Sequence, residues 1–560
     1  MPYPKVDPLD WSTVQPHVDA LLARELTPDS VQDWLQQWSD LESVLYETAA
    51  AIQRAVSENT ADKEAERRFL LMVEHMLPQM KLANQALRDK LSAFGDYSPP
   101  ADQQVMLRRF RAESSIFRPE NVPLESELEK LSNQYDKIIG AMSIEWDGQT
   151  EAMPQAMLHL RDGNRAIRAR AWRLIMDRWL AERSKLNELY LQMLALRRRV
   201  ARNAGLANYR DFQWQMKARF DYTPQDCATF HDAIEHAVAP LAQRLYRTLA
   251  GKLGVDSIRP WDTEADPYGE PLRPFHEVSE LEDGVQRIFQ AVDPAVARSF
   301  AALRDGFLDL ETRLNKAPGG YCSMFPVSRK PYIFMSAVGT HHDIGTLLHE
   351  GGHALHTMEA FSQPLIWNQD APAEFAEVAS MGMELLAAPY LARSRGGFYS
   401  EVDARRARAE QLRSIVRMLP YIAVVDAFQH WVYVDAPEDV SAAALDARWS
   451  ELWERFMQGI DYGGLQAQKE TGWQRKLHIF QVPFYYVEYG LAQLGALQVW
   501  RNAQRDQADA VARYRSALAL GYSKPLPELY RAAGARFAFD RATVGGLMEL
   551  VEEQLQQLEE

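Results

Sequence analysis

The sequence predicts a mainly α protein with one small β-sheet, and three observations lead there. Apolar residues recur at helical steps through most of the 560 residues. One segment, 331–339, breaks that texture with an apolar, aromatic run bounded by Pro331 and Gly339. Directly after it comes a helical stretch carrying two histidines four residues apart. The expected architecture is an elongated, two-lobed helical body with a deep cleft, its sheet beside the histidine-bearing helix. Residues 1–150 are expected to form an N-terminal helical region, and 151–560 a second helical region holding the site.

Along the chain, Thr27-Pro28-Asp29-Ser30 reads as a cap followed by a first-turn proline. Val31, Trp34, Leu35, Trp38, Leu41, Val44, Leu45 and Ile52 then make one apolar stripe. Phe69 to Phe94 has similar spacing, with Pro78 expected to kink or break it. Arg161 to Arg199 is rich in good helix formers, and the same texture returns from Glu401 to Asp435. The arginines at 197–199 read as a solvated helix end. Proline and glycine mark a long loop over 255–275 (Pro260, Pro267, Gly269, Pro271, Pro274) and another at Pro318-Gly319-Gly320. The segment 331–339 reads as a strand, and a strand needs a partner, so a small sheet follows. A free edge on that strand would let an extended peptide pair with residues 335–339.

Composition narrows the function. The chain holds 62 Lys and Arg against 77 Asp and Glu, a formal charge of −15. That balance disfavours nucleic acid as a partner, because binders of phosphate carry a basic face. Two cysteines in so long a chain do not make a disulfide framework, so a reducing compartment is expected. The start lacks the basic-then-apolar pattern of a secretion signal. No stretch approaches the ~20 apolar residues needed to cross a bilayer. A cytoplasmic protein with no membrane partner is the expectation.

The chemistry lies in the helix after the strand. Thr340 and Asp343 have capping-box spacing, and His349-Glu350-Gly351-Gly352-His353 follows. Residues four apart share a helix face, with Cβ atoms about 5–6 Å apart, so two imidazoles there can grip one ion. Glu350, one step round, can reach a water on that ion. This is the His-Glu-x-x-His arrangement, in which zinc polarises a water and the glutamate takes its proton. The two glycines each cost roughly 1 kcal/mol against alanine in a helix, so another element must approach closely. A third ligand is required. One zinc class takes it from a later histidine, but His356 and Glu359 stand where that pattern needs Gly and His. The other class takes a Glu from a following helix. Such a helix is expected from about Asp370, with Pro372 in its first turn and Glu374, Glu377 and Glu384 beside its apolar stripe. Carboxylates there are costly without a cation opposite them. Spacing leaves Glu374 and Glu377 open.

The stretch from His349 to His356, followed by Glu374-Phe375-Ala376-Glu377-Val378-Ala379-Ser380, resembles the oligoendopeptidase F and thimet oligopeptidase family, with Pz-peptidase-type members nearest. The likeness runs in outline over residues 150–560. It takes in Gly320-Tyr321-Cys322, His478 and the cluster Pro483 to Gly490. It implies that His349, His353 and Glu377 hold one zinc per chain and that Glu350 activates water. It implies that Glu384 holds a zinc histidine by its other ring nitrogen. It also implies that His478, Tyr485 or Tyr489 stabilises the oxyanion. One departure is Gly351, where the family commonly carries a large apolar residue. The expected function is zinc-dependent hydrolysis of internal bonds in short peptides. The alternatives are a zinc carboxypeptidase of similar helical fold and an inert peptide- or zinc-binding protein. Retention of Glu350 speaks against the last, because zinc binding does not need it.

Overall fold

The computed structural model describes residues 6–7, 9–95, 97–268, 271–317 and 319–559. Residues 1–5, Gly269 and Pro318, which enter the sequence reading above, lie outside the described residues.

The helix expected after Thr27 runs Val31–Glu58, and every residue of its predicted stripe is buried. It starts later than expected. Pro28 sits in the preceding turn, and Ser30 takes the cap position, where its hydroxyl accepts from the Thr27 amide at 2.9 Å. Pro78 does not break its helix either. Lys63–Leu71 and Leu77–Ala93 are joined by a π turn, Met72–Met76, whose wider hydrogen-bond spacing absorbs the amide that proline lacks. The stretch from Arg161 becomes Arg165–Ala181 and Arg183–Asn203.

At the end of Arg183–Asn203 the solvated reading holds for Arg199, which is exposed, and fails for its two neighbours. Arg197 and Arg198 are only 2% and 9% exposed. Arg197 donates to the Tyr433 hydroxyl and to the carbonyls of Ile479 and Phe480. Arg198 donates to the carbonyls of Val432, Ala436 and Glu438. A guanidinium offers five donors in a fixed fork, which suits the orphan carbonyls where helices end.

The chain forms two compact units, each assembled from three stretches. The first comprises Met1–Ser115, Leu272–Arg408 and Ala492–Phe537. The second comprises Ile116–Pro271, Ala409–Leu491 and Ala538–Glu560. In the first, Trp34, Trp38, Phe110 and their neighbours build one core. In the second, Trp172, Ile175, Trp261 and Leu465 are among the residues of another.

Among the described residues two small sheets exist where one was expected. In the second unit β1 (Ser143–Trp146) and β2 (Gln149–Ala152) form an antiparallel hairpin. Asp147 and Gly148 make its turn with φ of 49° and 81°, the left-handed backbone that a two-residue hairpin demands. In the first unit β3 (Leu308–Glu311), β4 (Tyr321–Phe325) and β5 (Lys330–Ala337) form a sheet of order β3-β5-β4. The strand read from 331–339 is therefore central. It pairs in parallel with β3 and antiparallel with β4. Its nearly unbroken apolar run follows from burial on both faces. β3 and β4 thus flank β5, β3 pairing it as far as Ala337 and β4 only as far as Phe334. The Val338 amide beyond its end donates to Asp343 at 3.0 Å. Among the described residues, no helix is long and apolar enough to cross a membrane.

Candidate metal centre

β5 leads through Gly339, whose φ of 86° turns the chain, into the helix His341–Ala360. Asp343 reaches back to accept from the amides of Val338 and Thr340, at 3.0 and 2.7 Å, and so fixes the helix start. The helix Ala373–Ala387 lies against it, and twelve of its residues are buried. That helix begins later than expected. Pro372 is its cap rather than a first-turn residue, because its carbonyl accepts from the amides of Phe375 and Ala376.

The glycines of the motif explain how the two helices meet. A Cβ at Gly352 would stand 2.5 Å from the Ala379 carbonyl oxygen and 2.7 Å from the Ser380 Cα. Only a glycine lets that backbone come so close. A Cβ at Gly351 would stand 2.5 Å from the Phe289 ring, so Phe289 fills the space that a side chain at 351 would need.

This contact brings three donors together. The donor atoms of His349, His353 and Glu377 all lie within 4.8 Å of one another. Glu377 Oε2 is 3.4 Å from His349 Nε2 and 3.7 Å from His353 Nε2. A tetrahedral ion with bonds of about 2 Å spaces its ligands roughly 3.4 Å apart, so the set fits one zinc. Glu374 is not part of the group, and Glu359 instead pairs with Arg515 at 2.7 Å. The donor residues are also held by neighbours outside the group. His349 Nδ1 meets Glu384 Oε1 at 2.7 Å. The Ser380 hydroxyl, which the sequence reading gave no role, donates to Glu377 Oε2 at 2.9 Å.

The charges also call for a cation. Burial opposes charge on His349, yet its contacts with Glu377 and Glu384 push its pKa well up. Burial would raise Glu377, but the hydrogen bond from His349 and the charge of His353 hold it down to about 2. Burial, opposed by Glu377 and helped by the His349 charge, lowers His353 to about 4, which keeps its ring neutral and able to coordinate. Without an ion, a proton on His349 balances the Glu377 carboxylate. A metal at the same point replaces that proton.

Glu350 sits on the same helix, 6% exposed. Burial pushes it up to about 7, partly countered by His349. Its neighbour is the start of β4: a Cβ at Gly320 would stand 3.6 Å from Glu350 Oε1. Cys322 follows on β4, and burial, then the Glu350 charge, raises its thiol pKa.

The other predicted residues gather in the second unit. His478, on the short helix Leu477–Gln481, has ring centroids 6.0 Å from Tyr485, 5.0 Å from Tyr486 and 5.8 Å from Tyr489. The expected start at Pro483 does not hold. The helix begins at Tyr486, because Phe484 adopts a left-handed φ of 64°. Tyr485 and Tyr489 are half-buried, with ring centroids 5.2 Å apart. Arg197, read from the sequence as solvated, pins the backbone just past His478.

Comparison with known proteins bears on the fold and the family. The Pz peptidase A structure solved with an inhibitor superposes with a TM-score of 0.91 at 23% identity, covering 99% of this chain and 98% of that one. A structure assigned to oligoendopeptidase F gives 0.90 at 24% identity, covering 99% and 97%. An oligoendopeptidase F homologue of Borreliella burgdorferi is 24% identical over 263 residues, 44% of this chain. That match spans 42% of the relative's own length. The fold is therefore that of the oligoendopeptidase F and Pz peptidase structures. The family model described as Peptidase family M3 matches residues 158–548, the region that contains both the paired helices and the tyrosine cluster, and the chain belongs to that family.

Proposed function

We propose that the chain is a zinc-dependent oligoendopeptidase that cuts internal bonds of short peptides. The observation that carries this is the convergence of His349, His353 and Glu377 beside a buried Glu350 with a raised pKa. His349, His353 and Glu377 would hold the ion. When bound, the ion supplies Lewis-acid polarisation of a water and of the scissile carbonyl. Glu350 accepts the proton of the attacking water. A carboxyl poised near neutrality can then return that proton to the leaving amine. Glu384 holds the His349 ring in the tautomer that leaves Nε2 free to coordinate.

A peptide can be held along β4. No other strand pairs with its outer edge among the described residues, and its start adjoins Glu350. An added strand there would present its main chain to residues 320–324 whatever its side chains. In a complex with a peptide-like inhibitor, main-chain hydrogen bonds to that stretch are expected. A ligand held only by side chains would remove the idea.

The reaction is tested on peptides blocked at both ends. Cleavage at internal bonds, abolished by a chelator and restored by zinc, is the expected result. Activity that survives complete metal removal would sink the proposal, and a requirement for a free C-terminus would make the enzyme a carboxypeptidase. His478, Tyr485 and Tyr489 are proposed to supply oxyanion donors. Tyr485→Phe or Tyr489→Phe should then lower kcat by about 10²–10³-fold with little change in KM. Two variants indistinguishable from the parent would assign the cluster to packing.

A further inference from the structure

Two helices of the second unit each carry a pair of polar side chains four residues apart, and the two pairs face each other. Cys227 and His231 lie on Pro224–Ala233, and Asp426 and His430 close the long helix Glu401–His430. From this juxtaposition we propose a second metal site, for a zinc-class divalent cation, with Cys227, Asp426 and His430 as ligands.

The donor atoms of these three residues lie within 4.8 Å of one another. Asp426 is fully buried. Its Oδ2 meets His231 Nε2 at 2.8 Å and stands 3.4 Å from His430 Nε2. Its Oδ1 is buried without a hydrogen-bond partner, and His430 Nε2 also makes no hydrogen bond. A buried carboxylate oxygen left without a partner is costly, and a cation beside it removes the cost. His231, outside the donor triangle, fixes the carboxylate through Oδ2 and leaves Oδ1 to the metal, as outer partners of metal ligands do.

The surroundings suit a buried site. Trp214 and Phe484 pack on the His430 ring, with centroids 5.6 and 5.3 Å away, and Phe456 packs on His231 at 6.2 Å. Each donor helix passes into a π turn just beyond its histidine, at Ile234–Val238 and Trp431–Asp435. Such turns occur frequently at functional sites. Thiolate, imidazole and carboxylate together favour zinc over the hard cations, which take oxygen. On binding, the Cys227 thiol releases its proton to solvent, so thiolate and carboxylate balance the ion's charge. The rival is a buried Asp426–His231 ion pair that only ties the helices together. It accounts for Oδ2, which both histidines approach, and leaves the buried Oδ1 unexplained.

Cobalt separates this site from the first one, because only a thiolate ligand gives a cobalt charge-transfer band in the near ultraviolet. The full chain, stripped of metal, is titrated with Co²⁺, and zinc retained after gel filtration is counted in parallel. The expected result is two zinc equivalents and a thiolate band that saturates with a single cobalt ion. Cys227→Ser should lose the band and one equivalent. Cys322→Ser should keep both, and His349→Ala should lose an equivalent and keep the band. If Cys227→Ser does not fold, His430→Gln should weaken the band's cobalt affinity by at least about 10-fold. A parent that shows no band, or a band that survives Cys227→Ser, overturns the proposal without touching the peptidase reading.

Discussion

Glu350→Gln is expected to keep the active-site metal and to lose about 10²–10⁴-fold in kcat, the usual worth of a positioned general base. The amide has the carboxylate's shape, so packing beside Gly320 and Thr346 is preserved. Glu350 is not among the converging donors, so metal content should match the parent. What disappears is the ability to accept a proton. Burial has raised this carboxyl to about 7, where it is basic enough to take a proton and acidic enough to give it back. Among the described residues its Oε2 has no hydrogen-bond partner that would compete for that lone pair. The measurement is kcat beside metal content. Turnover within a few-fold of the parent would place the base elsewhere. Glu377→Ala should behave oppositely and lose the metal with the activity. If Glu374→Ala releases metal and Glu377→Ala does not, the ligand assignment is wrong.

The contrast between Glu374 and Glu377 shows what a linear reading carries. Their spacing puts both on one flank of one helix, and both prove buried. Which of them meets the histidines depends on the axial register of two helices, set by the Gly352 contact with Ala379 and Ser380. No local pattern encodes that register. Periodicity, by contrast, is local, and the stripe from Val31 to Ile52 is buried without exception. The β1–β2 hairpin was legible and missed: Asp147-Gly148 is a strong two-residue turn signal inside a short, weakly apolar segment. The pairing of β5 was not legible, since β3 and β4 lie in separate stretches before it and join it in opposite senses. Charge patterning misled at Arg197 and Arg198. A basic run looks solvated until the carbonyls it serves, more than 230 residues away, are in place. Distance in sequence likewise hid Cys227 and His231 from Asp426 and His430, with 195 residues between His231 and Asp426. Each pair alone is an unremarked i, i+4 step.

Gly352→Ala should cost more than its one methyl group suggests. The added Cβ would stand 2.5 Å from the Ala379 carbonyl oxygen and 2.7 Å from the Ser380 Cα. Those are backbone atoms of a buried helix, which cannot rotate aside as a side chain could. Reaching ordinary contact requires the two helices to part by about 1 Å, in an interior packed like a crystal. Glu377, three residues from Ser380, moves away from His349 and His353 with them. Metal bonds tolerate about 0.2 Å. A misplacement near 1 Å costs about 10²-fold in positioned chemistry, and disturbed metal support costs a further 10–100-fold in affinity. Activity at limiting zinc should therefore fall by up to about 10⁴-fold, with part recovered in excess zinc. Gly345→Ala on the same helix is the control. Nothing lies within 4 Å of a Cβ there, so alanine should raise the melting temperature through its better helix propensity, worth roughly 1 kcal/mol. If Gly352→Ala binds zinc and turns over like the parent, the close crossing is not what sets the ligand register, and the glycine pair loses its explanation.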